Sequence, residues 1–276
     1  MPEPVDNRQA LAVGGAAIAA LIAISAIVAL TGDDQSPTSS STSTTTTEVV
    51  TTEPTIVPTT VPRSVGDRFF SEIAQRTTSA AIRARALAAD NSTAADYLDH
   101  LMGAMSVAGD QPPGRLEGAE PWRVCDAGDT TITCRSFDSL TVDDNGLVTG
   151  FEIDGIPIND RLVIDGNAAS SDGVTVSLAS AFLTVPNDSM VLVVDIENAR
   201  EDVSLLTNGF AAVYSDPILG EFEITSAVGD DLIEPNKTVR MLFVFESGGL
   251  GGDLIVPFTT DDYSESLQIA LTVAAP

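Results

Sequence analysis

The chain has 276 residues, of which 40 are acidic and 13 basic, so its formal net charge is −27. A surface this negative repels nucleic acid and anionic lipid headgroups, which excludes nucleic-acid binding as a function. The acidic residues are concentrated in Val124–Pro276, which has 26 acidic and five basic residues, whereas Arg63–Arg123 is close to neutral. The acidic part is expected to keep the protein in solution or to attract cations and basic partners.

The first predicted element is the apolar run Leu11–Leu30, which contains no charged residue and no proline. A helix of this length covers ~30 Å, the thickness of a bilayer's hydrocarbon core. Because the run exceeds the ~7–15 residues of a signal-peptide core, we predict an uncleaved transmembrane anchor, with cleavage as the alternative. Arg8 precedes the run and no basic residue occurs in Thr31–Pro62. Residues 1–10 are therefore predicted to be a cytoplasmic stub and the bulk to lie outside the membrane.

Residues 31–63 are predicted to be a disordered stalk. Thr31–Pro62 contains 17 serines or threonines in 32 residues, with four prolines and no apolar periodicity. Such a segment cannot bury enough apolar surface to offset its ordering entropy. Extended, it reaches roughly 100 Å at ~3.1 Å per residue, whether glycosylated or unmodified.

Residues 64–165 are predicted to form a small α+β module that begins with a helix pair. Ser64 is a suitable N-cap, and apolar residues repeat at helical spacing within Phe70–Leu87. The segment Asp90–Ser92 breaks the pattern and offers a cap for the second helix, which Gly109 and the following prolines end. The apolar face of this helix consists of Tyr97, Leu98, Leu101, Met102 and Met105. One form the module could take is a cone-shaped ligand-binding fold.

The single histidine, His100, lies on the second helix near Asp96 and Asp99. A catalytic or metal-binding histidine needs partners, and the chain has no second histidine, no GxSxG motif and no HExxH motif. We therefore predict no catalytic residue, no cofactor and no metal site, and a surface or partly buried His100. The adjacent pairs Asp230/Asp231 and Asp261/Asp262 would be the route to a hydrolase, but adjacent aspartates usually form turns.

A hairpin sheet is predicted to complete the module from Trp122 to Ile158, with turns at Asp143–Gly146 and Asp154–Gly155. Cys125 and Cys134 bracket a short segment and would face each other across a hairpin. Outside the membrane such a pair is oxidised, so we predict a disulfide contributing about 2–3 kcal/mol. Part of an EF-hand calcium pattern overlaps the first turn, with threonine replacing its first aspartate, and a plain β-turn is the preferred interpretation. The matching residues are Thr141, Asp143, Asn145, Gly146 and Glu152.

Leu162–Ser171 is polar and is predicted to be a domain boundary. Residues 172–276 then favour an antiparallel β-sandwich, with short strands separated by turns. In Met190–Asn198 the alternation of residue types predicts one buried face. The candidate strands are Val174–Phe182, Met190–Asn198, Ser204–Leu206, Phe210–Tyr214, Glu221–Ser226, Thr238–Glu246, Asp253–Phe258 and Leu267–Val273.

Two segments of this region resemble a known family. Met190–Asn198 with the following Ala199–Asp202 resembles the strand-and-corner of the immunoglobulin-like (telokin-like) domain of bacterial lipoproteins and surface proteins. Leu232–Phe245 resembles that family's "L-x-P-G-x-x-V-x-G-x-x-x-F" strand, with Asn236 and Arg240 in place of its glycines. The resemblance implies an extracytoplasmic sandwich without shared catalytic residues.

The sequence thus predicts a non-enzymatic protein of a bacterial cell envelope, anchored by one transmembrane helix and carrying an α+β module and an immunoglobulin-like sandwich. Its leading function is binding of an envelope protein or cell-wall partner, through the sandwich edges or a flexible Gly248–Gly252 loop. The alternative is a small-molecule carrier or sensor with a pocket in the α+β module. A cavity under the face formed by Tyr97, Leu101 and Met105 would favour this alternative.

Overall fold

The computed structural model describes residues 64–126, 133–185 and 187–276. The predicted stub, the anchor Leu11–Leu30 and the stalk lie outside these residues. The described part contains three α-helices, and no helix there has the length and apolarity needed to cross a membrane. The helices are α1 (Val65–Gln75), α2 (Thr78–Arg85) and α3 (Thr93–Ala108).

The helices are followed by two sets of antiparallel strands. The first is a five-stranded sheet in the order β1-β2-β3-β4-β5, formed by Gly114–Glu117, Trp122–Asp126, Cys134–Val142, Val148–Ile153 and Ile156–Pro157. The second contains β6 to β16. These strands are Leu162–Val163, Ala168–Ser171, Val174–Leu183, Met190–Asn198, Leu205–Thr207, Val213–Asp216, Gly220–Val228, Leu232–Ile233, Lys237–Phe245, Asp253–Thr260 and Ser266–Thr272.

The predicted caps of the helices are confirmed, but the first predicted helix is two helices. The Ser64 hydroxyl accepts from the Asp67 amide, and the Ser92 hydroxyl caps α3. Arg76 ends α1 in the left-handed conformation, with φ at 53°. The Thr77 side chain then accepts from the Ala80 amide and starts α2. The apolar pattern did not reveal this break, because Thr77 falls at a helical spacing in the sequence although it serves as the cap of α2.

The second set of strands folds into a two-layer antiparallel sandwich, as predicted at this coarse level. One layer contains β8, β9 and β14, with β6 and β7 on the edge of β8. The other contains β10, β11, β13, β15 and β16. Strand β12 pairs first with β11 and then, from Ile224 onward, with β14, with a bulge between Ile224 and Ser226. It therefore joins the two layers around a core that includes Leu192, Tyr214 and Phe243.

Two details of this region differ from what the sequence suggested. The predicted boundary Leu162–Ser171 carries β6 and β7, which both pair with β8. Phe210 is not in a strand but in a 3₁₀ turn, Gly209–Ala211, with its side chain 75% exposed. Short strands such as β6 and β7 depend on a neighbouring strand for their hydrogen bonds, so their own residues give only a weak periodic signal.

The outer face of the sandwich is covered by α3, so β9 is buried on both faces rather than on one. Leu192 and Val194 face the sandwich core, whereas Val191 and Val193 form a separate apolar cluster with Leu242. Side chains from the second half of α3 pack on this cluster. Helix α3 thus lies between the first sheet and the sandwich and contacts both.

The cysteine prediction is confirmed by the first sheet. Cys125 of β2 and Cys134 of β3 are directly paired across the antiparallel ladder and form a disulfide. The turn predicted at Asp143–Gly146 is also present, with the Asp143 carboxylate accepting from the amides of Asn145 and Leu147. These features fix the hairpins against which the helices pack.

Gly66 allows the indole of Trp122 to lie against α1. A Cβ at position 66 would come within 2.4 Å of Cζ2 of Trp122. The ring cannot move away freely, because it is 4% exposed and its Nε1 donates to the Asp67 carboxylate at 2.8 Å. The missing side chain is therefore a packing requirement of the α1–β2 contact.

We expect Gly66→Ala to lower the free energy of unfolding by about 1–3 kcal/mol, because the added methyl overpacks this contact. An alanine in an unconstrained helix would instead stabilise by about 0.5–1 kcal/mol. The sign of the change in a urea titration followed by circular dichroism therefore tests the packing. A stabilised variant would contradict it.

Candidate functional site

A cavity of about 90 Å³ lies beneath α3, between the helices, the inner face of the first sheet and the end of β8. It is lined by Tyr97, Leu101 and Met105, which form the face of α3 under which the sequence predicted a pocket. Val124 and Phe137 of the first sheet and Phe182 of β8 line it as well. The walls are mostly apolar, which suits the body of a small ligand.

The shape of the cavity follows from the ends of the helices. The left-handed conformation of Arg76 turns the chain between α1 and α2, and its carbonyl accepts from the Gln111 amide at 2.9 Å. Gly109 ends α3 and is exposed, although it also lines the cavity. The cavity therefore reaches the surface where the chain leaves α3.

His100 lines this cavity and is buried, with 2% of its surface exposed, so the expectation of a surface or partly buried residue was wrong. Its Nδ1 lies 2.8 Å from the hydroxyl of Ser180 on β8, rather than facing Asp96 or Asp99. Burial lowers the pKa of His100 to about 4. The ring is therefore neutral at pH 7, held between α3 and the sandwich.

Tyr97 and two arginines place polar groups in the same cavity. Burial raises the pKa of Tyr97 to about 12, while the positive charges of Arg135 and Arg76 act in the opposite direction. The guanidinium of Arg76 is paired with Asp126. Nη1 of Arg135 forms a longer ion pair with Asp154, at 3.8 Å, which is beyond hydrogen-bond distance.

Two polar atoms of the cavity have no hydrogen-bond partner. Over residues 64–126, 133–185 and 187–276, the buried side-chain nitrogens and oxygens without a partner are Nη1 of Arg135 and Oγ1 of Thr184. Both residues line the cavity. Buried polar groups are nearly always hydrogen-bonded, so two exceptions lining one cavity make it the candidate binding site.

Sequence reasoning located the α3 face of this cavity but missed Arg76, Arg135 and Thr184. A signal for Arg135 was available in β3, where Arg135 is two residues before the buried Phe137 and so shares its face of the sheet. Its partner across the ladder is the inward-facing Val124. A charged residue in an inward series of positions marks a functional candidate.

The Gly248–Gly252 segment, expected to be a flexible binding loop, is folded over Tyr214. The phenol of Tyr214 donates to the Gly249 carbonyl at 2.7 Å and accepts from the Gly252 amide at 2.8 Å. A Cβ at position 252 would lie 2.4 Å from the Ser215 carbonyl oxygen. The glycines therefore permit close packing at this end of the sandwich.

The acidic pairs occupy exposed turns. Asp230, Asp231, Asp261 and Asp262 are all exposed. The Asp262 carboxylate accepts from Thr260 and Ser264, and these hydrogen bonds lower its pKa to about 2. Among the described residues, one group of three possible metal ligands occurs, Glu117 with Cys125 and Cys134, and both sulfurs belong to the disulfide.

No protein-family model and no curated protein matches this sequence.

Proposed function

We propose that this protein is a membrane-anchored, extracytoplasmic carrier or sensor that binds a small molecule in the cavity beneath α3. The observation that carries this proposal is the cavity itself, with apolar walls and a few convergent polar groups. It lies where the helices, the first sheet and the sandwich meet, so an occupant would touch all three. Binding would thereby stabilise the contacts between the helices, the first sheet and the sandwich.

We also propose that the protein is anchored in a membrane with its folded part outside the cell membrane. The apolar length of Leu11–Leu30 and the lack of basic residues after it support an anchor with the folded part outside a bacterial membrane. The disulfide of Cys125 and Cys134 agrees with an oxidising compartment. We also propose that the sandwich is an immunoglobulin-like (telokin-like) domain. Asn198 supports this by closing the corner after β9, with bonds to the Val203 and Ile233 carbonyls.

A cavity-filling substitution tests the binding function. The full-length chain would be titrated with a set of short-chain alcohols, amines and carboxylates by ligand-detected NMR. We expect saturable binding of at least one compound and its loss in Leu101→Phe, whose ring fills the cavity. Met102→Phe is the matched control, because Met102 is the next residue of α3 and does not line the cavity. Absence of binding by the whole set, or binding unaffected by Leu101→Phe, would reject the proposal.

A second candidate function is binding of an envelope protein or cell-wall partner by the sandwich. The turn between β11 and β12 favours it, because Ile218 and Leu219 are 89% and 62% exposed on a turn fixed by the Asp216 carboxylate. An isolated envelope fraction would be incubated with the full-length chain and with the double variant Ile218→Ser/Leu219→Ser over a salt series. Retention of the wild type alone would support this function, and equal retention would reject a role for the turn.

A further inference from the structure

We propose that the ligand of the cavity is a compact monocarboxylate with an apolar body, whose carboxylate binds Arg135 and Thr184. This inference rests on the proposed small-molecule function and names the chemical class of the ligand. It begins from the two buried side-chain atoms of the described residues that lack a hydrogen bond, Nη1 of Arg135 and Oγ1 of Thr184, whose residues line one cavity. They come from different parts of the fold, β3 and the segment after β8.

Arg135 supplies the positive charge. Its side chain is 19% exposed and lies on the inner face of the first sheet, where its neighbours Val124 and Phe137 are buried apolar residues. A guanidinium in such surroundings is costly unless it is paired and hydrogen-bonded. Oδ1 of Asp154 accepts from the amide and hydroxyl of Ser136, and its Oδ2 lies 3.8 Å from Nη1 of Arg135, beyond hydrogen-bond distance. Nη1 of Arg135 therefore has a long ion pair but no hydrogen bond, and an anion in the cavity would supply one.

Thr184 and Tyr97 add neutral donors. Thr184 is 8% exposed, and its hydroxyl can donate one hydrogen bond to a carboxylate oxygen. The phenol of Tyr97 stays protonated because burial raises its pKa to about 12. The site therefore offers one charge and up to two hydroxyl donors, a set that matches a carboxylate.

The other charged groups of the cavity are already engaged. Arg76 is paired with Asp126, and Glu72 accepts from Arg83 at 2.8 Å. His100 is neutral at pH 7, since burial lowers its pKa to about 4. Arg135, whose ion pair with Asp154 is long at 3.8 Å, is therefore the cation of the cavity best placed to bind one further negative charge.

The volume limits the body of the ligand. A cavity of about 150 Å³ admits benzene, so a cavity of about 90 Å³ with an open mouth suits a short alkyl group. The apolar walls leave hydroxyl groups of a sugar without partners, which disfavours polyols. A short-chain fatty acid is therefore a suitable probe.

The test compares sodium pentanoate with pentan-1-ol, which has the same alkyl chain and no charge. Ligand-detected NMR titrations of the full-length chain would give both dissociation constants. The variants are Arg135→Met, which keeps the length of the side chain, and Thr184→Val, which keeps its shape. Arg123→Met is the matched control, because Arg123 is exposed on β2, in a position that alternation places on the opposite face from Val124.

We expect pentanoate to bind at least about tenfold more tightly than pentan-1-ol, because a hydrogen bond to a charged group contributes more binding free energy than one between neutral groups. Arg135→Met should weaken pentanoate about tenfold or more and leave pentan-1-ol within about twofold, and Thr184→Val should weaken pentanoate about threefold or more. Arg123→Met should behave as wild type. Circular dichroism melting shows whether each variant is folded. If Arg135→Met does not fold, Thr184→Val still tests the assigned site.

The outcomes separate this inference from the proposed function. Equal binding of pentanoate and pentan-1-ol would overturn the carboxylate and leave the small-molecule function in place. Tight pentanoate binding that survives both Arg135→Met and Thr184→Val would overturn the assigned site. If neither probe binds, the carboxylate inference fails, and the wider set of alcohols and amines decides the fate of the small-molecule function by itself.

Discussion

Replacing Phe70 with alanine is expected to lower the free energy of unfolding by about 3–5 kcal/mol, the usual cost of deleting a fully buried phenylalanine ring. Phe70 is 0% exposed and is the centre of the aromatic cluster between α1 and the first sheet. Its ring centroid is 4.8 Å from that of Trp122, 4.9 Å from Phe137 and 5.4 Å from Phe151. The alanine would leave a cavity bounded by rings that cannot all move inwards.

The matched control is Phe210→Ala, because Phe210 has the same side chain with 75% of its surface exposed. It should change the free energy of unfolding by less than about 0.5 kcal/mol. Urea titrations at one temperature give both values. A cost below about 1 kcal/mol for Phe70→Ala would mean that the cluster is loosely packed.

The same titrations report whether the described parts unfold together. Trp122 is the only tryptophan and reports on the first sheet, whereas far-ultraviolet circular dichroism sums the helices and the strands of both sheets. Phe182 belongs to a sandwich strand but packs with Tyr97 and His100 in the helical module. Because α3 also seals β9 and β14, we expect coincident transitions by the two probes.

Much of the fold could be predicted because local signals agree with the final contacts. Strand β9, Met190–Asn198, begins and ends where its alternation does, and α3 begins after Ser92, the last residue of the segment predicted to cap it. The disulfide also followed from local spacing, since a short hairpin brings Cys125 and Cys134 together. In each case the residues carry the information within a few positions.

The features that were missed depend on contacts distant in the sequence. His100 is buried because it meets Ser180, 80 residues later, and no property of α3 alone indicates that partner. The cavity face of α3 could be predicted from its apolar spacing, but Arg135 and Thr184 are supplied by β3 and by the segment after β8. Strand β7 was overlooked because Ala168–Ser171 has no apolar alternation and is held by pairing with β8.

Acid is expected to destabilise the protein through His100. The pKa of this residue is lowered to about 4 in the folded state by burial and should be near 6.5 in the unfolded chain. Above about pH 6.5 the ring is neutral in both states and contributes no pH dependence. As the pH falls from about 6.5 to about 4, the unfolded chain binds a proton that the folded protein does not. The contribution lost over this window is about 3 kcal/mol.

The single histidine allows this contribution to be isolated by His100→Gln, which can keep a hydrogen bond to Ser180 and does not titrate. Carboxylates also titrate near pH 4; burial raises the pKa of Asp96 and of Asp138, which acts in the opposite direction. These groups are present in both proteins, so the difference between wild type and variant removes them. Urea titrations from about pH 7.5 to about pH 4 should show the wild type losing about 3 kcal/mol more than the variant. A pH-independent difference would mean that His100 reaches water in the folded protein and that the cavity is wetter than its apolar walls imply.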